Sequence, residues 1–173
     1  MTEAPLRHLF ALGKLSQAGA DIAVIAKDEE LTRLAAWACV AAVRRFAANV
    51  SLRRLSQTRF ALEAQLEADI VQNCVVTLDP VESHIARTVA RELHYAPHPK
   101  IEGGELTLAS GDEDVPEEIA SLEYDLAAPL LEDFVLAIDP YKRKEGVAFA
   151  PPGEAIDAPS NPFAALKSLK GGG

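Results

Sequence analysis

Four histidines, two cysteines and 26 carboxylates are the side chains of this 173-residue sequence from which acid–base, nucleophilic or metal chemistry could start. His8, His84, His94 and His98 are scattered, and His94 and His98 stand four apart, a spacing that would align two imidazoles on one helix face for a metal. Pro97 lies between them and breaks the helix that alignment requires. Cys74 has no paired base in its neighbourhood and reads as a small core residue of an apolar strand. Glu63/Glu67 and Glu117/Glu118 read as surface acids, not as an acid/base pair. There is no phosphate-binding glycine loop, no nucleophile elbow and no His-Glu-x-x-His. The residues point to a non-enzymatic interaction protein with no catalytic residue, no metal and no cofactor.

Charge is the stronger signal. The net charge of −9 is unevenly laid out: Glu102 to Asp139 holds twelve Asp and Glu and no Lys or Arg, leaving the rest of the chain 17 bases against 14 acids. From Leu31 to Leu62 there are six arginines and no acid, among them Arg44, Arg45, Arg53, Arg54 and Arg59. The plain reading is a solvated acidic rim and an arginine-rich strand edge. The sharper one is an acidic surface for a basic protein and an arginine surface for phosphate. So acidic a chain is not a general nucleic-acid binder.

The elements that must position these groups are organised around Thr58 to Tyr95. Phe60, Leu62, Ala64, Leu66, Ala68 and Ile70 take every second position, with Arg59, Ala61, Glu63, Gln65, Glu67 and Asp69 between them. That alternation marks a strand with one buried and one wet face, against the helical propensity of Ala, Leu and Glu. Beyond Cys74 to Pro80 the second arm is ambiguous. Val81, Ile85, Val89 and Leu93 recur every four residues, yet with Tyr95 they also share strand parity, interrupted by Ser83, Arg87 and Arg91.

Around this centre, Leu6 to Phe10 and Ala20 to Ala26 read as strands, and Asp28 as the cap of a helix with Glu29 and Glu30 in its first turn. Trp37 reads as a core or edge anchor. A short second helix through Val43 follows Cys39, then a strand with Phe46, Ala48, Val50, Leu52 and Arg54 in parity, turning at Ser56-Gln57. Glu105 to Ala109 reads as a brief strand and Ser110 to Pro116 as an acidic loop. Leu126 to Ile138 has helical spacing, and Pro129 places its start near Ala127. Asp139-Pro140-Tyr141 ends that helix, with Lys142-Arg143-Lys144 beyond. In the terminal stretch Asn161 can cap and Pro162 begin a short helix, with Phe163, Leu166 and Leu169 as an apolar stripe beside Lys167 and Lys170.

These elements describe an α+β fold: a mainly antiparallel sheet or partly closed barrel, two or three packed helices, and a short C-terminal helix after a linker. The boundaries read as one domain over 1–149, a Pro-rich linker over 150–160, and a short helix with a flexible tail over 161–173. With no leader pattern and no apolar run long enough to span a bilayer, a cytoplasmic protein with Cys39 and Cys74 as reduced, buried thiols and no membrane partner is expected.

Three stretches together resemble the bacterial YceD family of large ribosomal RNA subunit accumulation proteins, in the form of its alphaproteobacterial members. They are Gln72-Asn73-Cys74-Val75-Val76-Thr77-Leu78-Asp79-Pro80-Val81, the run from Asp125-Leu126 to Asp139-Pro140-Tyr141, and Asn161-Pro162-Phe163 to Lys170. The resemblance implies a role in accumulation or maturation of large-subunit ribosomal RNA. The implied partner is a ribosomal protein or assembly factor of the large subunit, or the RNA itself, and no catalytic residue carries over. It also favours strands on both sides of Cys74 and makes Cys74, Asp79 and Pro80 a structural turn. Many members have Cys-x-x-Cys at that turn, which could hold a metal. Here the second position is Thr77, so no zinc is expected. The competing reading is a small-molecule or peptide-binding β-barrel, whose central strands would line an open cavity. The oligomeric state is left open.

Overall fold

The computed structural model describes residues 4–97 and 116–148. The expected strand at 105–109, the loop from 110 to 115, the linker and the terminal helix lie outside the described residues.

Three long antiparallel strands form the frame: β3 (Ala42–Arg54), β4 (Arg59–Asn73) and β5 (Pro80–Tyr95). With β2 (Ala20–Ile25) and β6 (Glu117–Ile119) they make a five-stranded sheet ordered β2-β3-β4-β5-β6, in which β6 alone runs parallel to its neighbour. β1 (Leu9–Ala11) and β7 (Glu123–Asp125) pair separately. The alternation read in β4 is the one the fold uses, since Phe60, Leu62, Ala64, Leu66, Ala68 and Ile70 are all buried. The second arm is a strand, in register with β4 from Asn73↔Pro80 to Arg59↔His94. Gly19 (φ +85°) leads into β2 where a Cβ would lie 2.6 Å from the Leu52 carbonyl, so a side chain there would clash with backbone.

The helices α1 (Asp28–Trp37) and α2 (Ala127–Ala137) both cover the inner face, along with a 3-10 turn at Leu12–Lys14. Their buried residues Leu34, Leu130 and Phe134 join one core with Phe46, Leu52 and Phe60. Phe134 meets Phe46 edge-on, with ring centroids 5.4 Å apart. Among the described residues the sheet stays open, with β2 and β6 as its edges, so the partly closed barrel is replaced by a one-sided sheet. The inward side chains of the central strands are packed and do not line a cavity, which removes the geometry the ligand-barrel reading needs.

Three local readings are corrected. Asp28 is the first helical residue of α1 and Lys27 is its cap, the Lys27 N–H donating to the Glu30 carboxylate at 2.8 Å. No second helix follows Cys39. Cys39 takes a left-handed backbone (φ +55°), Val40 N–H returns to Ala35 O and Cys39 N–H to Ala36 O, closing the helix as a Schellman motif. Ala42 and Val43 then pair with Val71 and Ile70, so sheet pairing overrides the helical tendency of Ala and accords with the strand preference of Val. The first strand begins at Leu9 instead of Leu6, whose side chain is buried in the core. Helix α2 starts at Ala127 with Pro129 in its first turn, as the spacing predicts.

Candidate interaction surfaces

The Cys74 turn is a junction, not a free loop. Cys74 N–H donates to Asp79 O at 2.8 Å and Leu78 N–H to Cys74 O at 2.9 Å, closing the turn on itself. The chain leaving α2 then lies against it. Val75 N–H donates to Lys142 O (3.0 Å), Gln72 Nε2 to Asp139 O (2.8 Å), and Lys144 Nζ pairs with Asp79 Oδ2 (3.0 Å). Of the two thiols expected to be buried, Cys39 is exposed at the end of α1; the Cys74 sulfur is fully buried and accepts N–H donors from both segments, Thr77 and Lys144, each at 3.4 Å. The Thr77 hydroxyl, then the Lys144 and Thr77 N–H groups, favour the thiolate and lower its pKa to about 6. Asp79 is held below the ordinary carboxylate value by its hydrogen bond from Lys144, then by Thr77.

This donor set does not fit the metal that Cys-x-x-Cys relatives could hold. One sulfur is present, the second ligand position is Thr77, and the sulfur's contacts are hydrogen-bond donors. No group of three His, Cys, Asp or Glu placed for a metal occurs among the described residues.

The arginines fall into two groups at opposite ends of β3, Arg44 and Arg45 at one and Arg53, Arg54 and Arg59 at the other. Nine strand residues at about 3.3 Å each put these ends roughly 30 Å apart. Cross-strand acids meet most of them. Arg44 pairs with Glu82 at 3.0 Å, Arg45 with Glu67 and with Asp69 (3.6 Å), and Arg59 with Glu92. His84 Nδ1 lies 2.7 Å from Asp69 Oδ1 and extends the Arg45 network to β5. Arg54 is part of the interior frame: Nη2 donates to Leu12 O (3.1 Å) and Gly13 O (3.2 Å), and its guanidinium lies 5.5 Å from the Phe60 ring centroid. Arg53 is exposed and makes no ion pair among the described residues. A count along the chain missed these partners because they come from β4 and β5.

The acidic stretch divides likewise. Asp125 accepts from His8 N–H (2.8 Å) and Ala127 N–H (3.1 Å), stapling β1 to the start of α2. Asp133 takes Arg91 at 2.9 Å, and Glu117 accepts from the Tyr124 hydroxyl. Burial, then the Glu117 charge, hold the Tyr124 pKa far above its usual value. Glu118, Glu123 and Glu132 remain exposed.

The structure also exposes apolar side chains that the sequence reading did not single out as a surface. Of nine exposed large hydrophobics among the described residues, five (Val75, Leu78, Val135, Leu136, Tyr141) belong to the Cys74 turn or to the end of α2 and the segment after it. The outer sheet face has another character. Its centre is a row of Ala23, Asn49, Gln65 and Thr88, with Thr88 Oγ1 donating to Gln65 at 3.0 Å, and the outward positions of β2–β5 carry no Phe, Tyr or Trp. No helix among the described residues is long and apolar enough to cross a membrane.

Asn161, Pro162, Phe163, Leu166, Lys167, Leu169 and Lys170 lie outside the described residues, so the structure does not place them against either surface. Cys74, Asp79 and Pro80 do come together, at the mouth of the β4–β5 hairpin. No curated protein and no solved structure matches this chain. The family model for Large ribosomal RNA subunit accumulation protein YceD matches residues 62–170, which spans most of β4, all of β5 and α2, and the terminal Asn-Pro-Phe stretch. With more than half of its length matched by that model, the chain belongs to the YceD family.

Proposed function

We propose that this chain is a non-enzymatic factor of ribosome biogenesis. It supports accumulation or maturation of large-subunit ribosomal RNA by holding a ribosomal protein, an assembly factor or the precursor RNA in the cytoplasm. The match over residues 62–170 carries this reading. The acids of Glu102–Asp139 suit a basic partner, and Phe163, Leu166 and Leu169 would anchor a terminal helix in that partner's groove, flanked by Lys167 and Lys170. RNA, if touched, would be met along the phosphate backbone. The outer sheet face has no aromatic platform for bases, and Arg53 is the member of the arginine set with no acid beside it among the described residues.

The test is sedimentation of ribosomal particles from cells carrying a tagged copy, at low and high salt. Co-migration with large-subunit precursors, lost at high salt, is the expected result. Sedimentation as free protein at every salt would defeat the assembly role. Replacing Phe163, Leu166 and Leu169 together by Ala is expected to release the protein from the particles while its domain stays folded.

A further inference from the structure

Strand β5 is 16 residues long and is paired to β4 throughout. On its other side β6 meets only Leu93, His94 and Tyr95. Among the described residues the edge from Val81 to Glu92 therefore presents alternate N–H and C=O groups with no strand beside them. One carbonyl, that of Ala90, is met by its neighbour's side chain, Arg91 Nη1 donating at 3.1 Å. Edges of this length are ordinarily blunted by proline, lysine, a bulge or inward-pointing charges. Of these devices β5 carries the last at Arg87 and Arg91, with Arg91 neutralised by Asp133. Here the one proline is the first strand residue, there is no lysine, and the register with β4 is unbroken.

The β6 end of this edge opens on a groove of about 790 Å³, lined by Glu63, Glu92, Glu117 and Glu132 against Arg91. Arg91 is already matched by Asp133 (2.9 Å) and Glu132 (3.8 Å), and Glu92 by Arg59. Glu63 meets no cation among the described residues, and Glu117 meets only the Tyr124 hydroxyl. Further along the edge Glu82 is matched by Arg44, and Arg87 makes no ion pair among the described residues. The groove is left with negative charge to spare.

We propose that the open edge of β5 takes up an extended, Lys/Arg-rich segment of a partner protein as an added strand, with Glu63, Glu117 and Glu132 facing its basic side chains. This rests on the assembly-factor reading and names the kind of segment such a factor holds. Main-chain hydrogen bonds to an edge supply affinity that does not depend on sequence, and flanking side chains select the occupant. A second copy would set these same glutamates against one another, so charge favours a basic strand.

The experiment uses the full chain and a short labelled peptide alternating lysine and valine. In the free protein, alternate β5 amides between Val81 and Glu92 are expected to exchange rapidly. The peptide should bind and slow them, and Glu63→Lys with Glu132→Lys should weaken binding about tenfold without changing the circular dichroism. A peptide N-methylated at alternate residues should lose binding. Four results would each overturn the proposal: edge amides already protected in the free protein, equal binding of the N-methylated peptide, equal binding of a glutamate–valine peptide, or a dimer that the peptide dissociates. Undiminished co-sedimentation of the double variant with large-subunit precursors would also overturn it, while the assembly role stood. Sedimentation of the unmodified protein as free protein at every salt would defeat that role, and the peptide titration would judge the edge separately.

Discussion

Two turns close the ends of β4, one on its own residues apart from a Tyr95 N–H that reaches Thr58 O from β5 (2.7 Å), and the other with help from a segment 70 residues further along the chain. At Leu55–Thr58, the Leu55 and Ser56 N–H groups both return to Arg59 O, and the Ser56 hydroxyl accepts from the Thr58 and Arg59 N–H groups. All of these bonds form within five residues. At Cys74–Asp79 the internal bonds are joined by Lys142, Lys144 and Asp139, which lie in the segment that follows α2. The first turn is a property of local sequence, and the second is a readout of tertiary packing.

The largest test of this contrast is Phe134→Ala. Phe134 is fully buried against Phe46, and its loss is expected to cost about 3–5 kcal/mol and to loosen α2. Hydrogen exchange should then show the Val75 and Lys144 amides losing protection ahead of those of Leu55 and Ser56. Simultaneous loss at all four would put both turns in one cooperative unit.

A smaller effect is expected from pH. Cys74 titrates at about 6 in the fold against an ordinary value of 9.0, so its contribution to stability is complete above the ordinary value and gone below about 6. Between those values the unfolded chain binds the proton and the folded chain does not, and stability rises with pH. Melting temperatures across this window should climb more steeply for the unmodified protein than for Cys74→Ser. Parallel curves would mean that the sulfur is not held as a thiolate.

The smallest effect is a gain. Leu78 sits at φ +63° with its side chain 74% exposed, so Leu78→Gly removes left-handed strain and gives up little burial. A rise of about 1 kcal/mol is expected from urea unfolding. Ser56→Gly in the self-contained turn should instead lower stability, because the hydroxyl that accepts two N–H groups is lost.

Legibility along the chain follows the same division. Strand β4 can be read from its residues because each inward position faces a packed core and each outward one faces water. Strand β5 cannot, because Ser83, Arg87 and Arg91 share the inward parity: Arg87 reaches solvent at the sheet edge, and Arg91 is satisfied by Asp133 of α2. The helix expected after Cys39 failed because Ala states a propensity, whereas pairing with Val71 and Ile70 is a long-range contact. Of the candidate site, the arginines were visible as a run, but the acids that meet Arg44, Arg45 and Arg59 were not.

By itself, then, the sequence determined the alternation of β4, the start of α2 at Ala127 and the uneven charge. Each of these is set by neighbours within a turn or a strand repeat. Tertiary structure alone decided which arginines are matched by acids, that the Cys74 sulfur is enclosed by N–H donors from two segments, and that among the described residues the long edge of β5 has no strand beside it from Val81 to Glu92. Those outcomes depend on residues from roughly 15 to 70 positions apart meeting across strands and turns, and no local period encodes such meetings.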